Sequence, residues 1–186
     1  NFDLSLFSSF PDFRFSIDDV KISGINEFEK DTLASIPHLK LDLNLMSVIN
    51  GDYKINSIML ENTRILAKVL KDGKANWDIT KPDSSATATP DASESTPFKL
   101  ALKSLEIKNG YIVYDDRSLG VLTILDSMNH TLSGDFTEDN FVLETMTTIK
   151  RFTQEYDGMK YLNKANLELK ADLDMDMKNM KFTFKE

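Results

Sequence analysis

The sequence predicts a mainly β fold: long antiparallel, curled or sandwich-like sheet or sheets, with one or two short helices. Three observations lead there. Apolar and polar residues alternate with period two over long stretches, the mark of half-buried strands. Turn chemistry such as Asp-Gly and Asn-Gly separates several of these stretches. Helical periodicity is scarce.

The elements follow in chain order. Phe2, Leu4 and Leu6 alternate with Asp3 and Ser5, and further strands are read at 13–17 and 20–25. Residues 27–36 (EFEKDTLASI) fit a short helix ending before Pro37. Leu39, Leu41, Leu43 and Leu45 alternate with Lys40, Asp42 and Asn44, and residues 46–50 fit one helical turn. Asn50-Gly51-Asp52 marks a turn before strands at 53–60 and 63–70. Lys71-Asp72-Gly73-Lys74 reads as a hairpin turn before Ala75–Ile79. Strands are read at 98–108 and 111–115, and Asn109-Gly110 between them is the strongest hairpin signal in the chain. Further strands fall at 120–125, 130–136 and 140–152, and Tyr156-Asp157-Gly158 is another turn. The cleanest alternation comes last: Leu167, Leu169, Ala171, Leu173, Met175 and Met177 point one way and the intervening charged residues the other. At ~3.3 Å per residue this run is roughly 36 Å long, so a bend or an edge position is expected. The phase slips at Lys178-Asn179, where Met180, Phe182 and Phe184 begin a new apolar face.

Residues 80–97, TKPDSSATATPDASESTP, contain no aromatic or large aliphatic side chain. Such a composition buries too little surface to order a segment, and a flexible loop is expected between two β-rich stretches, 1–79 and 98–186, of a single β-rich unit. A weak echo links those stretches. Ile58-x-Leu60-Glu61-Asn62-x-x-Ile65 aligns with Leu105-x-Ile107-Lys108-Asn109-x-x-Ile112, and Ile22-Ser23-Gly24 resembles Leu132-Ser133-Gly134. A duplicated strand–turn–strand unit would produce this.

Composition excludes several functions. The net charge is −8 over 186 residues and is spread along the chain with no basic patch, so the footprint of a nucleic-acid binder is missing. There are 0 cysteines, which removes disulfides, thiolate metal sites and a Cys nucleophile. No apolar run approaches the ~20 residues of a membrane-spanning helix. The chain opens on Asn1-Phe2 in a strand-like pattern, and we expect a preceding segment in the parent protein.

No catalytic constellation emerges, and the chain reads as non-enzymatic with no cofactor. The 2 histidines, His38 and His130, are far apart, whereas metal sites need convergent ligands. None of the phosphate-loop, dinucleotide, nucleophile-elbow or zinc-protease motifs occurs. Asp172, Asp174 and Asp176 resemble the start of a calcium loop, but Met177 and Thr183 stand where glycine and glutamate are needed; a solvated strand face explains them. Asn129-His130-Thr131 fits a glycosylation acceptor, relevant only in a eukaryotic secretory pathway. An outer-membrane barrel alternates similarly, but few aromatic girdle residues are present.

One stretch is more distinctive. Ile58, Leu60, Asn62, Ile65, Asp72, Gly73, Asn76 and Trp77 lie in a strand, turn, strand, tight glycine turn and Asn-Trp sequence; Leu105-Glu106-Ile107-Lys108-Asn109-Gly110-Tyr111-Ile112-Val113-Tyr114-Asp115-Asp116 follows the 80–97 segment. Together they resemble the AsmA family of bacterial envelope proteins, which carries an I-x-L-x-x-P/N-x-I-x-L… D-G-x-x-N-W signature and an I-x-N-G-x-I-x-Y-x-D stretch. The resemblance covers most of residues 20–136, and residues 140–186 match only in style. Asn62 stands where the family often has proline. On this resemblance Asp72, Gly73, Asn76, Trp77, Asn109, Gly110, Tyr114 and Asp116 are structural motif residues. It implies a periplasmic β-structure whose parent is tethered to the inner membrane by an N-terminal helix. It further implies a role in outer-membrane homeostasis, phospholipid and envelope proteins as partners, and kinship with bridge-like lipid-transfer proteins, whose curled sheets carry an apolar groove.

An apolar sheet face must be buried against something. Two sheets packed face to face would do this, and so would a curled sheet whose groove a lipid fills. Leu39, Leu41, Leu43, Leu45, Leu167, Leu169, Ala171, Leu173 and Met175 would line either the core or the groove. A structural or protein-docking module of the envelope is the alternative to lipid binding, because open sheet edges accept partner strands.

Overall fold

The computed structural model describes residues 2–5, 12–44, 47, 54–79, 101–136 and 138–185. These form one mixed 10-stranded sheet: β1 (Phe2–Ser5), β2 (Asp12–Ser23), β3 (Thr32–Asn44), β4 (Lys54–Glu61), β5 (Arg64–Val69), β6 (Ala101–Asp116), β7 (Val121–Ser133), β8 (Asn140–Tyr156), β9 (Met159–Asp176) and β10 (Lys181–Phe184). The order across the sheet is β1-β2-β3-β4-β6-β7-β8-β9-β10, with β5 continuing the line of β4 between β3 and β6. All neighbours are antiparallel except β4 and β5, which run parallel to β6. A parallel pair requires a return crossover, and that return passes through residues 80–100, outside the described residues. The loop expected at 80–97, the helical turn at 46–50 apart from Ser47, the Asn50-Gly51-Asp52 turn and Leu45 also lie outside them.

Within the described residues no second sheet packs on the first, so the sandwich alternative is not realised there. The internal echo becomes a pairing register. Ile58 lies beside Leu105, Leu60 beside Ile107 and Ile65 beside Ile112. The two copies of the pattern thus stand next to each other in parallel, each position meeting its own counterpart.

A line of left-handed residues crosses the sheet: Asp19 (φ 58°), Asn62 (φ 55°), Asn109 (φ 51°), Ser127 (φ 55°) and Lys164 (φ 53°). Pairing registers shift around Gly110 in β6 and between Ile149 and Phe152 in β8. Such bulges bend a strand and tighten its twist, and each advances the side-chain alternation by one residue. In β6 the apolar face is carried by Leu105 and Ile107 before the bulge and by Ile112 and Tyr114 after it. Without the bulge, half of every long strand would present its apolar residues to the wrong side. Pro37 falls in the same line, between the β3–β4 ladder that ends at His38 and the β3–β5 ladder that starts at Ser35, where its missing N–H costs nothing.

The few buried residues follow this crease. Ala34, Thr63, Met128 and Ile149 are buried along it, while Val69 at the end of β5 and Phe28 and Ala75 in the neighbouring loops are buried at one end of the sheet. Gly110 pairs with Met128, and Met128 with Ile149.

Three expectations are corrected. Residues 27–36 are not a helix: a 3-10 turn spans Asn26–Phe28 and β3 has begun by Thr32. Ala34 and Ile36 pair with Ile22 and Val20, and that cross-strand burial outweighs the modest helix preference of Glu and Lys. Asn109-Gly110 is not a hairpin turn but a bulge inside β6, which runs unbroken over 16 residues; a bulge and a type I′ turn both call for a positive φ, so the dipeptide serves either. Ala75–Ile79 is not a strand; it contributes a single bridge, Val69 to Ala75. By contrast Asp157 (φ 49°) and Gly158 (φ 75°) do form the β8–β9 hairpin turn, and the phase slip at Lys178-Asn179 is the turn into β10. The final alternating run belongs to β9, 18 residues long and second from the edge.

Candidate functional site

Directly opposed residues in a sheet share a face, so the registers define the apolar surface. One row runs Phe15, Leu41, Ile58, Leu105, Leu132, Thr145, Ala171; the next runs Ile17, Leu39, Leu60, Ile107, His130, Thr147, Leu169. Each crosses β2, β3, β4, β6, β7, β8 and β9. At the far edge Met175 and Leu173 continue onto Phe182 and Phe184 of β10. The alternate residues form a polar face, with Arg14 3.4 Å from Asp42 and Lys40 3.6 Å from Glu61. Such exposed pairs contribute about 0–1 kcal/mol each; their consequence is that this face stays in water.

No residue of the two apolar rows is buried; Leu169, Phe182 and Phe184 are exposed and the others intermediate. Among the described residues nothing lies over them. A contiguous apolar surface of this extent is rare on a monomer and marks a site of interaction.

Of the residues singled out from the sequence, Leu39, Leu41 and Leu43 on β3 and Leu167, Leu169, Ala171, Leu173 and Met175 on β9 share this face, reached from opposite sides of the sheet. The middle of the face comes from Ile58, Leu60, Leu105, Ile107 and Leu132. Their strands were legible, but which face they share depends on register and on the bulges.

The signature residues meet at one end. The Asn76 side chain lies along the edge of β5: its Oδ1 accepts the Lys68 N–H (2.9 Å) and its Nδ2 donates to the Leu66 carbonyl (2.6 Å). Its own N–H donates to the Lys68 carbonyl (3.0 Å). One side chain thus substitutes for a missing strand. Asp72 Oδ1 accepts from the Lys74 N–H (3.2 Å), and Gly73 takes φ 87° to close the turn. Trp77 stacks on Tyr114 with ring centroids 6.2 Å apart. Tyr114 donates to Asp116 Oδ2 (2.9 Å), and Asp116 Oδ1 accepts from the Ser118 hydroxyl (2.6 Å) and from the Ser118 and Leu119 N–H groups (3.0 Å each). Asn62 and Asn109, side by side in the crease, are joined by a 2.7 Å hydrogen bond from Asn109 Nδ2 to Asn62 Oδ1. The two halves of the signature therefore build one substructure at the β5–β6 end of the apolar face.

That sequence pattern extends along nearly the whole chain: the AsmA family matches residues 3–185. The chain belongs to the AsmA family. Neither a curated protein nor a solved structure matches it. Membership of the AsmA family points to an envelope-associated function and location. Among the described residues of this AsmA-family chain, no helix is long and apolar enough to cross a membrane.

The titratable groups are dispersed. His38 Nδ1 lies 2.9 Å from Asp18, on the polar side, and His130 Nδ1 lies 2.9 Å from the Thr147 hydroxyl, within the apolar rows. Among the described residues no three His, Cys, Asp or Glu side chains converge to hold a metal ion. Asp176 accepts from Asn179 (Nδ2, 2.7 Å) to cap the β9–β10 turn, and Asp174 lies 3.9 Å from Lys185. An open depression of about 520 Å³ lined by residues that include Asn140, Phe141, Asp174 and Lys181 mixes both faces at the β10 corner. Asp174, Asp176 and Lys181 share its lining, where Asp176 caps the β9–β10 turn and Asp174 faces Lys185, and the apolar face is the stronger candidate site.

Asp116 has a clear pH signature. The Ser118 hydroxyl, with the Leu119 N–H, the Tyr114 hydroxyl and the Ser118 N–H, holds its carboxyl below the usual carboxylate range against the opposing effect of burial. Tyr114 is pushed up by the same hydrogen bond to Asp116. A carboxylate with a lowered folded-state pKa stabilises the fold above its unfolded value of ~3.9 and loses that contribution as pH falls through the folded value. Acid titration of stability is therefore expected to be shallower in Asp116→Asn than in wild type below about pH 4. Equal slopes would show that this carboxyl is not linked to folding.

Proposed function

We propose that this AsmA-family chain is a non-enzymatic periplasmic segment of an envelope protein that binds or conducts phospholipid along its apolar face. On this reading the parent protein is tethered to the inner membrane by an N-terminal helix and takes part in outer-membrane homeostasis. The observation that carries the reading is the apolar surface running from β2 to β10, over which nothing lies among the described residues, backed by a polar face. Hydrocarbon tails are the chemistry such a surface favours: burial gains about 25 cal/mol per Å² of apolar area and demands no directional partner. The crease supports it, because bulges bend the sheet along a line at which Ala34, Met128 and Ile149 are buried.

The test is organic extraction of the purified chain followed by lipid mass spectrometry, with an unrelated acidic β-protein as control. Phospholipid near one equivalent or above is expected. The double variant Leu41→Glu, Ile58→Glu, which sets two carboxylates on neighbouring strands of the face, is expected to lose at least tenfold, since each buried side chain accounts for about 1.5–3 kcal/mol of apolar transfer. Equal lipid in wild type and control would remove this reading.

A second reading, protein docking by strand addition, draws on β9. Its pairing with β10 covers Leu173–Asp176 and the Lys185 N–H takes the Asp172 carbonyl, so along Met159–Ala171 the outer edge of β9 meets no other strand among the described residues. Open edges accept partner strands. Retention of a specific envelope protein by the immobilised chain, lost in Lys170→Pro, whose N–H lies on the outer edge of β9, is the expected result of that reading.

A further inference from the structure

Three turns stand side by side at one end of the sheet. The first joins Val69 to Ala75, the second is Arg117–Gly120 between β6 and β7, and the third is Asp157-Gly158 between β8 and β9. Two main-chain hydrogen bonds tie them together: the Arg117 N–H donates to the Val69 carbonyl (3.0 Å) and the Asp157 N–H to the Gly120 carbonyl (2.8 Å). They form a single braced rim.

Turn tips ordinarily carry small polar residues and glycine. This rim also exposes large apolar ones. Leu119 is 64% exposed and Met159 63%, with Tyr156 and Tyr161 beside them and Trp77 42% exposed. Leu119 stands in the second turn, Trp77 follows the first, and Tyr156, Met159 and Tyr161 lie at the strand ends joined by the third, so these side chains come from separate segments, unlike the flat, closely packed patch of a protein interface. Trp and Tyr join an apolar ring to a polar atom, the combination favoured at the boundary between hydrocarbon and water. Lys71 and Lys160 flank the rim, with stems long enough to lie along apolar surface while the ammonium stays wet. Asp72, Asp78 and Asp157 stand among the lysines, so the rim has no marked positive field.

We propose that this rim docks on the surface of a lipid bilayer, inserting Leu119, Met159 and the Trp77 and Tyr156 rings among the headgroups. The attraction is apolar rather than electrostatic, which makes it insensitive to salt and to lipid charge. The proposal stands independently of lipid binding along the apolar face. Where both hold, the docked rim sets one side of that face, at the strand ends, against the membrane.

Trp77 is the 1 tryptophan of the chain, so its fluorescence reports the rim directly. The experiment adds the chain to phosphatidylcholine vesicles, with and without phosphatidylglycerol, at low and high salt. Expected are a blue shift of Trp77 emission, quenching by headgroup-level lipid quenchers, and flotation with both vesicle types at both salts. Leu119→Ser with Met159→Ser should weaken partitioning by about tenfold per residue, roughly a hundredfold together. Met180→Ser, exposed in the β9–β10 turn at the other end of the sheet, should leave partitioning unchanged. Circular dichroism and melting confirm that the variants fold, and Tyr161→Ser serves as a second rim variant. No emission shift with vesicles, wild-type partitioning in the folded rim variants, or flotation that vanishes at high salt would overturn the proposal. So would rim-dependent self-association that vesicles fail to dissociate. Lipid extracted from vesicle-free protein should be the same in wild type and rim variants, so the failure of either proposal is read separately.

Discussion

Asn76→Ala is expected to lower stability by about 2–4 kcal/mol, as much as any single side-chain deletion in this chain. Asn76 is 2% exposed, and its side chain meets both the Lys68 N–H and the Leu66 carbonyl. Alanine removes both partners and leaves two backbone groups of β5 facing a space too closed for water to serve them well. A buried polar group without a partner costs about 1–3 kcal/mol, more than a hydrogen bond ordinarily contributes. For a chain of this length the melting temperature should fall by roughly 2–4 °C per kcal/mol. Asn76→Asp is informative beside it: the acceptor for Lys68 is retained, but the donor to Leu66 is replaced by a carboxylate oxygen against a carbonyl. It should rescue little of the loss, and the melt should recover only as pH falls and the carboxyl gains a proton. Urea denaturation of both variants measures this. A change below about 0.5 kcal/mol for alanine, the size of an ordinary surface substitution, would show that the edge of β5 is satisfied in some other way.

Gly24→Ala should destabilise by about 1–3 kcal/mol, the usual range for forcing extra volume into a filled site. A Cβ at Gly24 would run into the Cβ of Phe28 and stand 2.7 Å from the Phe28 carbonyl oxygen. The obstacle is backbone and a first side-chain carbon, not the movable end of a chain. Phe28 is buried, and the loop it anchors is closed by the Gly24 N–H donating to Asp31 (3.1 Å). The loop also holds Glu27 against Lys74 and Asp31 against Lys68, so a shifted loop would disturb the β5 end as well. Gly73→Ala provides the contrast. Nothing lies within 4 Å of a Cβ there, and only the positive φ of 87° resists, at a cost of about 1 kcal/mol. Chemical denaturation of the two variants should rank Gly24→Ala as the more damaging. The reverse order would mean that the 26–28 turn yields easily.

Much of the fold was legible. Period-two alternation found nearly every strand, because a half-buried strand writes its two faces directly into the order of residues. Leu39 to Leu43 and Leu167 to Met175 were placed on strand faces for that reason. The Asp-Gly and Tyr-Asp-Gly turns were legible because a positive φ selects few residue types. The signature residues from Asp72 to Trp77 and from Asn109 to Asp116 pointed to the family, and their family match extends over residues 3–185.

Other features were decided only by tertiary structure. Asn109-Gly110 has the chemistry of a hairpin turn and became a bulge, because both structures ask for the same backbone conformation and only the neighbouring strands choose between them. The segment 27–36 carries helix-forming residues but gives its second half to β3, where Ile36 and Ala34 find Val20 and Ile22 across the ladder. The echo between Ile58–Ile65 and Leu105–Ile112 was visible as a repeat, yet its meaning, two parallel strands in register, rests on contacts some 47 positions apart. The apolar face follows the same division. Sequence by itself determined that each strand has one apolar side, since alternation is a local property of the extended backbone. Which of those sides join into one surface was decided by pairing registers and by the line of left-handed residues, since a shift of one residue turns a strand over and nothing local records it.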